Sequence, residues 1–211
     1  MHILIINGGP APNPAALQHI GVYDKAIAVD SGYEHALALG LGPDTLIGDM
    51  DSIDSEVLAS AKAEVGNFIS HPADKDQTDL ELALAEAVRQ GADTISVLGS
   101  DGGSLDCLLG SILVLANESL ANVRITAYYG SSRLQIVRDE LRFSGAAGQP
   151  VAIFAIGGEA EISIQGLKYE TDQLLLKPSV AHAGSNQFLG GEAKVTVYSG
   201  MVIVIEAEFL G

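Results

Sequence analysis

Between residues 3 and 129, short β-rich runs alternate with stretches of helical periodicity, and few folds accept that order. The strand candidates are Ile3–Ile6, Ala26–Val29, Thr45–Ile47, Asn67–Ser70, Ile95–Leu98 and Val123–Tyr129. Helical patterns lie between them at Ala15–Val22, Tyr33–Gly40, Asp54–Val65, Thr78–Gln90 and Leu105–Leu120. In Thr78–Gln90, the clearest helix, Thr78 and Glu81 form a capping box. Leu80, Leu82, Leu84 and Val88 make its apolar face, and Gly91 follows as a stop. Strands separated by helices of this length predict an α/β/α sandwich on a mostly parallel sheet.

From residue 131 the character changes. Helical patterns stop, and short alternating runs appear at Leu134–Val137, Val151–Ala155, Ala160–Ile164, Gln173–Leu176, Ala193–Tyr198 and Met201–Glu206. Ser199-Gly200, between two of these runs, is the strongest hairpin signal in the chain. The reading is an α/β domain over residues 1–130 and a small antiparallel β-sandwich over 131–211, with the boundary near Gly130-Ser131.

Each strand of the first part runs into glycine and aspartate. Asn7-Gly8-Gly9 follows the first, Asp30-Ser31-Gly32 the second and Gly48-Asp49-Met50-Asp51 the third. Asp74 to Asp79 follows the fourth, and Gly99-Ser100-Asp101-Gly102-Gly103 the fifth. Ligands of open α/β sheets bind outside the carboxyl ends of the strands. Five such loops in succession therefore point to a binding edge. The net charge is −16, and residues 1–130 alone carry 18 acidic and 5 basic side chains, a balance of 5 − 18 = −13. So acidic a surface argues against nucleic acid and anionic membrane as partners. If this edge handles phosphate, it must use metal ions and backbone N–H groups.

Asp49 and Asp51, two residues apart just past a strand end, repel each other unless a cation or a shifted pKa relieves them. With a carboxylate from the Asp76–Asp79 segment they suit a hard divalent ion whose shell is completed by water and phosphate oxygens. Gly99 to Ser104 leads into a helix whose first turn carries Asp106, and a helix N-terminus holds phosphate without lysine or arginine. The five histidines are scattered without metal-ligand spacing and read as structural or surface, and Cys107, beside Leu108 and Leu109, reads as core. A single cysteine and the lack of an export signal predict a cytoplasmic protein.

These motifs resemble those of the thiamin pyrophosphokinase (thiamin diphosphokinase) family. Its G-D-x-D-S element stands as Gly48–Ser52, its K-D-x-T-D element as Lys75–Asp79 and its G-G-x-x-D element as Gly102–Asp106. Asp30-Ser31-Gly32 resembles its D-G-G turn, and Gly184-Ser185-Asn186-Gln187 its S-N-E segment. The resemblance implies Mg2+-dependent transfer of the pyrophosphoryl group of ATP to the hydroxyl of thiamin, releasing AMP. It implies a homodimer, with nucleotide and metal on the first domain and the acceptor and dimer contacts on the second. By position, Asp49, Asp51 and Asp79 would bind metal, and Asp106 would orient or deprotonate the acceptor hydroxyl. Asn7, Gly8, Asp30, Ser31, Gly32, Lys75, Asp76, Gln77, Thr78, Ser100, Gly102, Gly103 and Ser104 would line the nucleotide. Ser185 and Asn186 would contact the acceptor ring from the partner subunit. The family commonly has Arg at Ser104 and His at Cys107. Two other readings therefore stand beside the first: the same chemistry on another heterocyclic alcohol such as a hydroxymethyl pterin, or a non-catalytic nucleotide or thiamin sensor.

Overall fold

The computed structural model describes residues 1–72, 74, 76–179 and 183–210, and the chain divides into two compact units, Met1–Gly130 and Ser131–Gly211. The first unit holds six strands: β1 (His2–Ile6), β2 (Lys25–Val29), β3 (Thr45–Gly48), β4 (Asn67–Ser70), β5 (Thr94–Gly99) and β6 (Arg124–Tyr129). Every pairing among them is parallel, in the order β6-β5-β1-β2-β3-β4. Strand β1 is therefore central, and Ile3 to Ile6 are wholly buried. The chain runs outward from β1 to β4 and then returns to β5 on the other side of β1. That reversal is the switch point at which α/β sheets open a crevice.

Among the described residues five α-helices connect these strands: α1 (Leu17–Ile20), α2 (Gly32–Ala38), α3 (Ser55–Glu64), α4 (Asp79–Arg89) and α5 (Leu105–Val114). Tyr33 of α2 and Ala61 of α3 share a buried cluster with Ala28 and Leu46 of the sheet. Helix α4 packs on β1, β2 and β3 and begins at the expected capping box. The Glu81 N–H donates to Thr78 Oγ1 at 3.2 Å, and the Thr78 N–H donates to the Glu81 carboxylate at 2.8 Å. Two helices are shorter than their patterns. At the first, Pro14–Ala16 forms a 3-10 turn and Gly21, at φ 71°, stops α1 after four residues. Helix α5 ends at Val114 rather than Leu120, because Asn117 caps a separate 3-10 turn by accepting from the Ser119 N–H. Among the described residues no helix is long and apolar enough to cross a membrane.

The second unit is a pair of antiparallel sheets. Its strands are β7 (Ser132–Val137), β8 (Glu140–Gly145), β9 (Pro150–Ala155), β10 (Ala160–Gln165), β11 (Thr171–Leu176), β12 (Asn186–Gln187), β13 (Gly191–Ser199) and β14 (Val202–Glu206). One sheet runs β12-β9-β14-β7 and the other β11-β10-β13-β8. The expected hairpin at Ser199-Gly200 is not one: β13 pairs with β10 and β8, whereas β14 pairs with β7 and β9. Gly200, at φ 75°, carries the chain from one sheet to the other, past the Glu159 carbonyl, 2.2 Å from where a Cβ would stand. Only a glycine makes that passage. Between the sheets, Phe143 and Phe188 meet edge to face at 5.2 Å among buried valines and isoleucines. Glu206, wholly buried, is held by two Arg133 hydrogen bonds of 2.7 and 2.8 Å.

Candidate active site

Three loops at the carboxyl edge of the first sheet are locked together. The Asp30 backbone sits at φ 46° and Met50 at φ 67°, both in the left-handed region that side chains disfavour. They are joined, because the Met50 N–H donates to Asp30 Oδ1 at 3.1 Å. Gly48, at φ 147°, gives the Asp30 carboxylate its space: a Cβ there would stand 1.8 Å from Oδ1. Gly32 is constrained likewise, since a Cβ would lie 2.2 Å from the Ile6 carbonyl. Backbone strain concentrated in one place is a mark of function more than of folding.

The electrostatics agree. Burial pushes the Asp30 carboxyl up to about 6; the Met50 N–H pulls it down, and the nearby Asp79 and Asp49 push it up again. Asp79 arrives from the first turn of α4 and Asp49 from just past the end of β3, so two separate elements bring a carboxylate near Asp30.

A cleft of about 500 Å³ opens beside this cluster. Asn7, Gly8 and Gly9 line it from the β1 loop, Asp30 and Ser31 from the β2 loop, Ser52 from the β3 loop, and Thr78, Asp79 and Leu80 from α4. Its other wall is α5, through Asp106, Cys107, Gly110 and Ser111. Asp106 is exposed; hydrogen bonds from Ser104 and from the backbone N–H groups of Asp106 and Cys107 hold its carboxyl below the usual range. Cys107 is likewise exposed on this wall instead of in the core. Residues 106, 107, 110 and 111 fall on one face of a helix, a spacing visible in the sequence but masked there by the surrounding leucines.

The remaining expected residues divide. Ser100 Oγ accepts the Gly102 N–H at 3.1 Å, and so shapes the glycine turn. Gly103 has φ 85°, and Ser104 is the residue before α5. Asp76 and Gln77 are exposed before α4, and Lys75 lies outside the described residues. Asn186 belongs to the second unit and is buried. Its amide oxygen accepts the Tyr169 and Gln187 N–H groups, and its nitrogen donates to the Tyr169 carbonyl. That side chain clamps a loop.

Asp49, Asp51 and Asp79 are not gathered as a closed ligand set. Among the described residues no group of three or more His, Cys, Asp or Glu side chains is arranged to hold a metal ion. Part of the reason is local: the Asp51 N–H donates to Asp49 Oδ1 at 3.1 Å, curling that carboxylate onto its own turn. Magnesium, however, is ordinarily held by one or two carboxylates with waters and substrate phosphates, not by a protein cage. The repulsion that Asp79 and Asp49 exert on Asp30 fits that kind of site.

Comparison with known proteins gives the chain a family. The model of the thiamin pyrophosphokinase catalytic domain matches residues 18–127, more than half of the chain. Thiamine pyrophosphokinase of Bacillus subtilis is 25% identical over 97% of this chain and 98% of its own length. The crystal structure of the B. subtilis protein superposes with a TM-score of 0.84 at 24% identity, covering 98% of this chain and 99% of that one. The thiamin pyrophosphokinase structure from Geobacillus thermodenitrificans gives 0.80 at 26% identity, covering 98% and 97%. The chain is an enzyme of the thiamin pyrophosphokinase (thiamin diphosphokinase) family.

Proposed function

We propose that the chain transfers the pyrophosphoryl group of ATP to thiamin, giving thiamin diphosphate and AMP with Mg2+. The observation that carries this reading is the cleft at the sheet's switch point, where the Asp30–Asp49–Asp79 cluster stands opposite the first turn of α5. The thiamin hydroxyl oxygen bonds to the β-phosphorus of ATP. The bond from that phosphorus to the α,β-bridging oxygen breaks, and AMP leaves with the oxygen. The hydroxyl proton passes to Asp106 or solvent.

Asp106, kept ionised at neutral pH, accepts the hydroxyl's hydrogen bond and fixes its direction. Backbone N–H groups of Gly8 and Gly103 hold phosphate oxygens in a protein that offers almost no cations at this edge, those of Gly9 and Gly102 being engaged by Ser31 and Ser100. Magnesium, when bound, neutralises phosphate charge as it is redistributed. Asp49, Asp51 and Asp79 would hold it, with Asp30 adjoining. The second unit would supply acceptor and dimer contacts. Pyrophosphoryl transfer is tested by following AMP with ATP, magnesium and thiamin and confirming thiamin diphosphate by mass. A panel including hydroxymethyl pterin checks the acceptor, because Cys107 faces the cleft. AMP from the pterin but not from thiamin would move the reading to that acceptor. Binding of ATP and thiamin without AMP would leave a sensor.

A further inference from the structure

Gly9, in the loop after β1, is held from both sides. Its N–H donates to Ser31 Oγ at 3.1 Å, and its carbonyl accepts from His35 Nε2 of α2 at 2.7 Å. Gly9 has φ 88°, and open space lies where its Cβ would be. The two hydrogen bonds set the backbone at the most permissive residue type there is. Pro10, next along, reaches the glycine turn after β5. A Cβ on Gly102 would stand 3.3 Å from Pro10 Cβ, and one on Gly103 3.4 Å from its Cγ.

The geometry points to His35 as a positioning residue for nucleotide bound in the cleft: through Gly9 and Pro10 it sets where the two glycine turns stand relative to each other. The inference rests on the reading that this cleft takes ATP. His35 does not itself line the cleft, and its neighbour Glu34 does different work, accepting the Asp54 N–H at the start of α3. Without a donor at residue 35, the loop spreads over conformations that ATP must then select from, a cost borne in binding.

The test compares wild type, His35→Leu and His35→Gln, whose amide N–H can take over the donation. The dissociation constant for ATP with magnesium is measured by calorimetry, and KM and kcat by AMP release with thiamin. His35→Leu should raise both the dissociation constant and KM for ATP about five- to tenfold, the scale of one neutral hydrogen bond. Its kcat should stay within about twofold, as for lost uniform binding, and His35→Gln should recover most of the affinity. Unchanged affinity in folded His35→Leu overturns the inference. So does a lower kcat at unchanged KM, which is the signature of a smaller folded fraction, or a glutamine variant no better than leucine. If the wild type binds ATP but yields no AMP, the proposed reaction falls. The order of the three dissociation constants then still decides the role of His35.

Discussion

Asp30 and Gly48 show how one side chain can dictate another position's identity. Because a Cβ at 48 would stand 1.8 Å from Asp30 Oδ1, Gly48→Ala must expel the carboxylate and strain a backbone at φ 147°. We expect a loss of about 2 kcal/mol or more in denaturant unfolding. Adding Asp30→Ala should recover the part due to the clash and leave the part due to φ; equal stability of the single and double mutants would show that the clash is absent. Tyr129 is a different case. Its ring lies over Gly99, where a Cβ would be 2.5 Å from Cε1, and its hydroxyl is buried without a well-formed hydrogen bond. Burial pushes the phenol far above its ordinary value, while the Ser111 hydroxyl beside it pulls the other way. Removing an unsatisfied buried hydroxyl should help, so Tyr129→Phe should gain about 1 kcal/mol in the same measurement. Destabilisation would mean that a water or Ser111 satisfies the hydroxyl in solution.

Helix α4 shows the same economy over a whole element. Its first turn carries the capping box and Asp79, and its last turn ties down the one buried acidic residue of the helix, Glu86. Arg89 donates to Glu86 twice at 2.6 Å and Gln90 once at 2.8 Å. The Arg89 hydrogen bonds hold the Glu86 carboxyl below its ordinary 4.5, against the upward push of burial, and Gln90 and Lys25 assist. A carboxyl whose pKa is lower in the folded state stabilises above its unfolded value and loses that contribution as pH falls through the folded one. Glu86→Gln should therefore lower stability at pH 7 by about 1 kcal/mol, discounted because Arg89 is largely exposed. The difference from wild type should shrink as pH drops below 4.5; a gap constant from pH 7 to pH 3 would mean that packing, not charge, is lost. The start of this helix was legible because a capping box is a local code. The strands of the first unit were legible too, because β-branched runs such as Ile3–Ile6 leave few alternatives. Ser199-Gly200 misled because a two-residue turn signal encodes a reversal of the chain but not which sheet receives the next strand. Strand β8 went unread although Leu141 and Phe143 alternate with Glu140, Arg142 and Ser144, the period of a half-buried strand. The site divides in the same way. Aspartates and glycines stood out after each strand, whereas the hold of His35 on Gly9 spans 26 residues and has no local signature.

At the scale of the whole molecule, the charge of −16 is concentrated where the proposed reaction gathers still more negative charge, since residues 1–130 account for 5 − 18 = −13. Two effects of added ions should be separable. Screening by monovalent salt weakens diffuse self-repulsion, because the Debye length falls from about 30 Å at 0.01 M to about 10 Å at 0.1 M. The melting temperature should therefore rise with NaCl in wild type and in Asp49→Asn or Asp79→Asn alike. Magnesium at constant ionic strength should add a further increase in wild type, growing with concentration as expected of a ligand that binds only the folded state. Either asparagine variant should lose most of that increment while keeping its response to NaCl and its fold. Both variants should also lose AMP formation. If magnesium raises the melting temperature equally in all three proteins, the carboxylate cluster acts only as bulk charge, and the metal of the proposed reaction must arrive bound to the nucleotide alone.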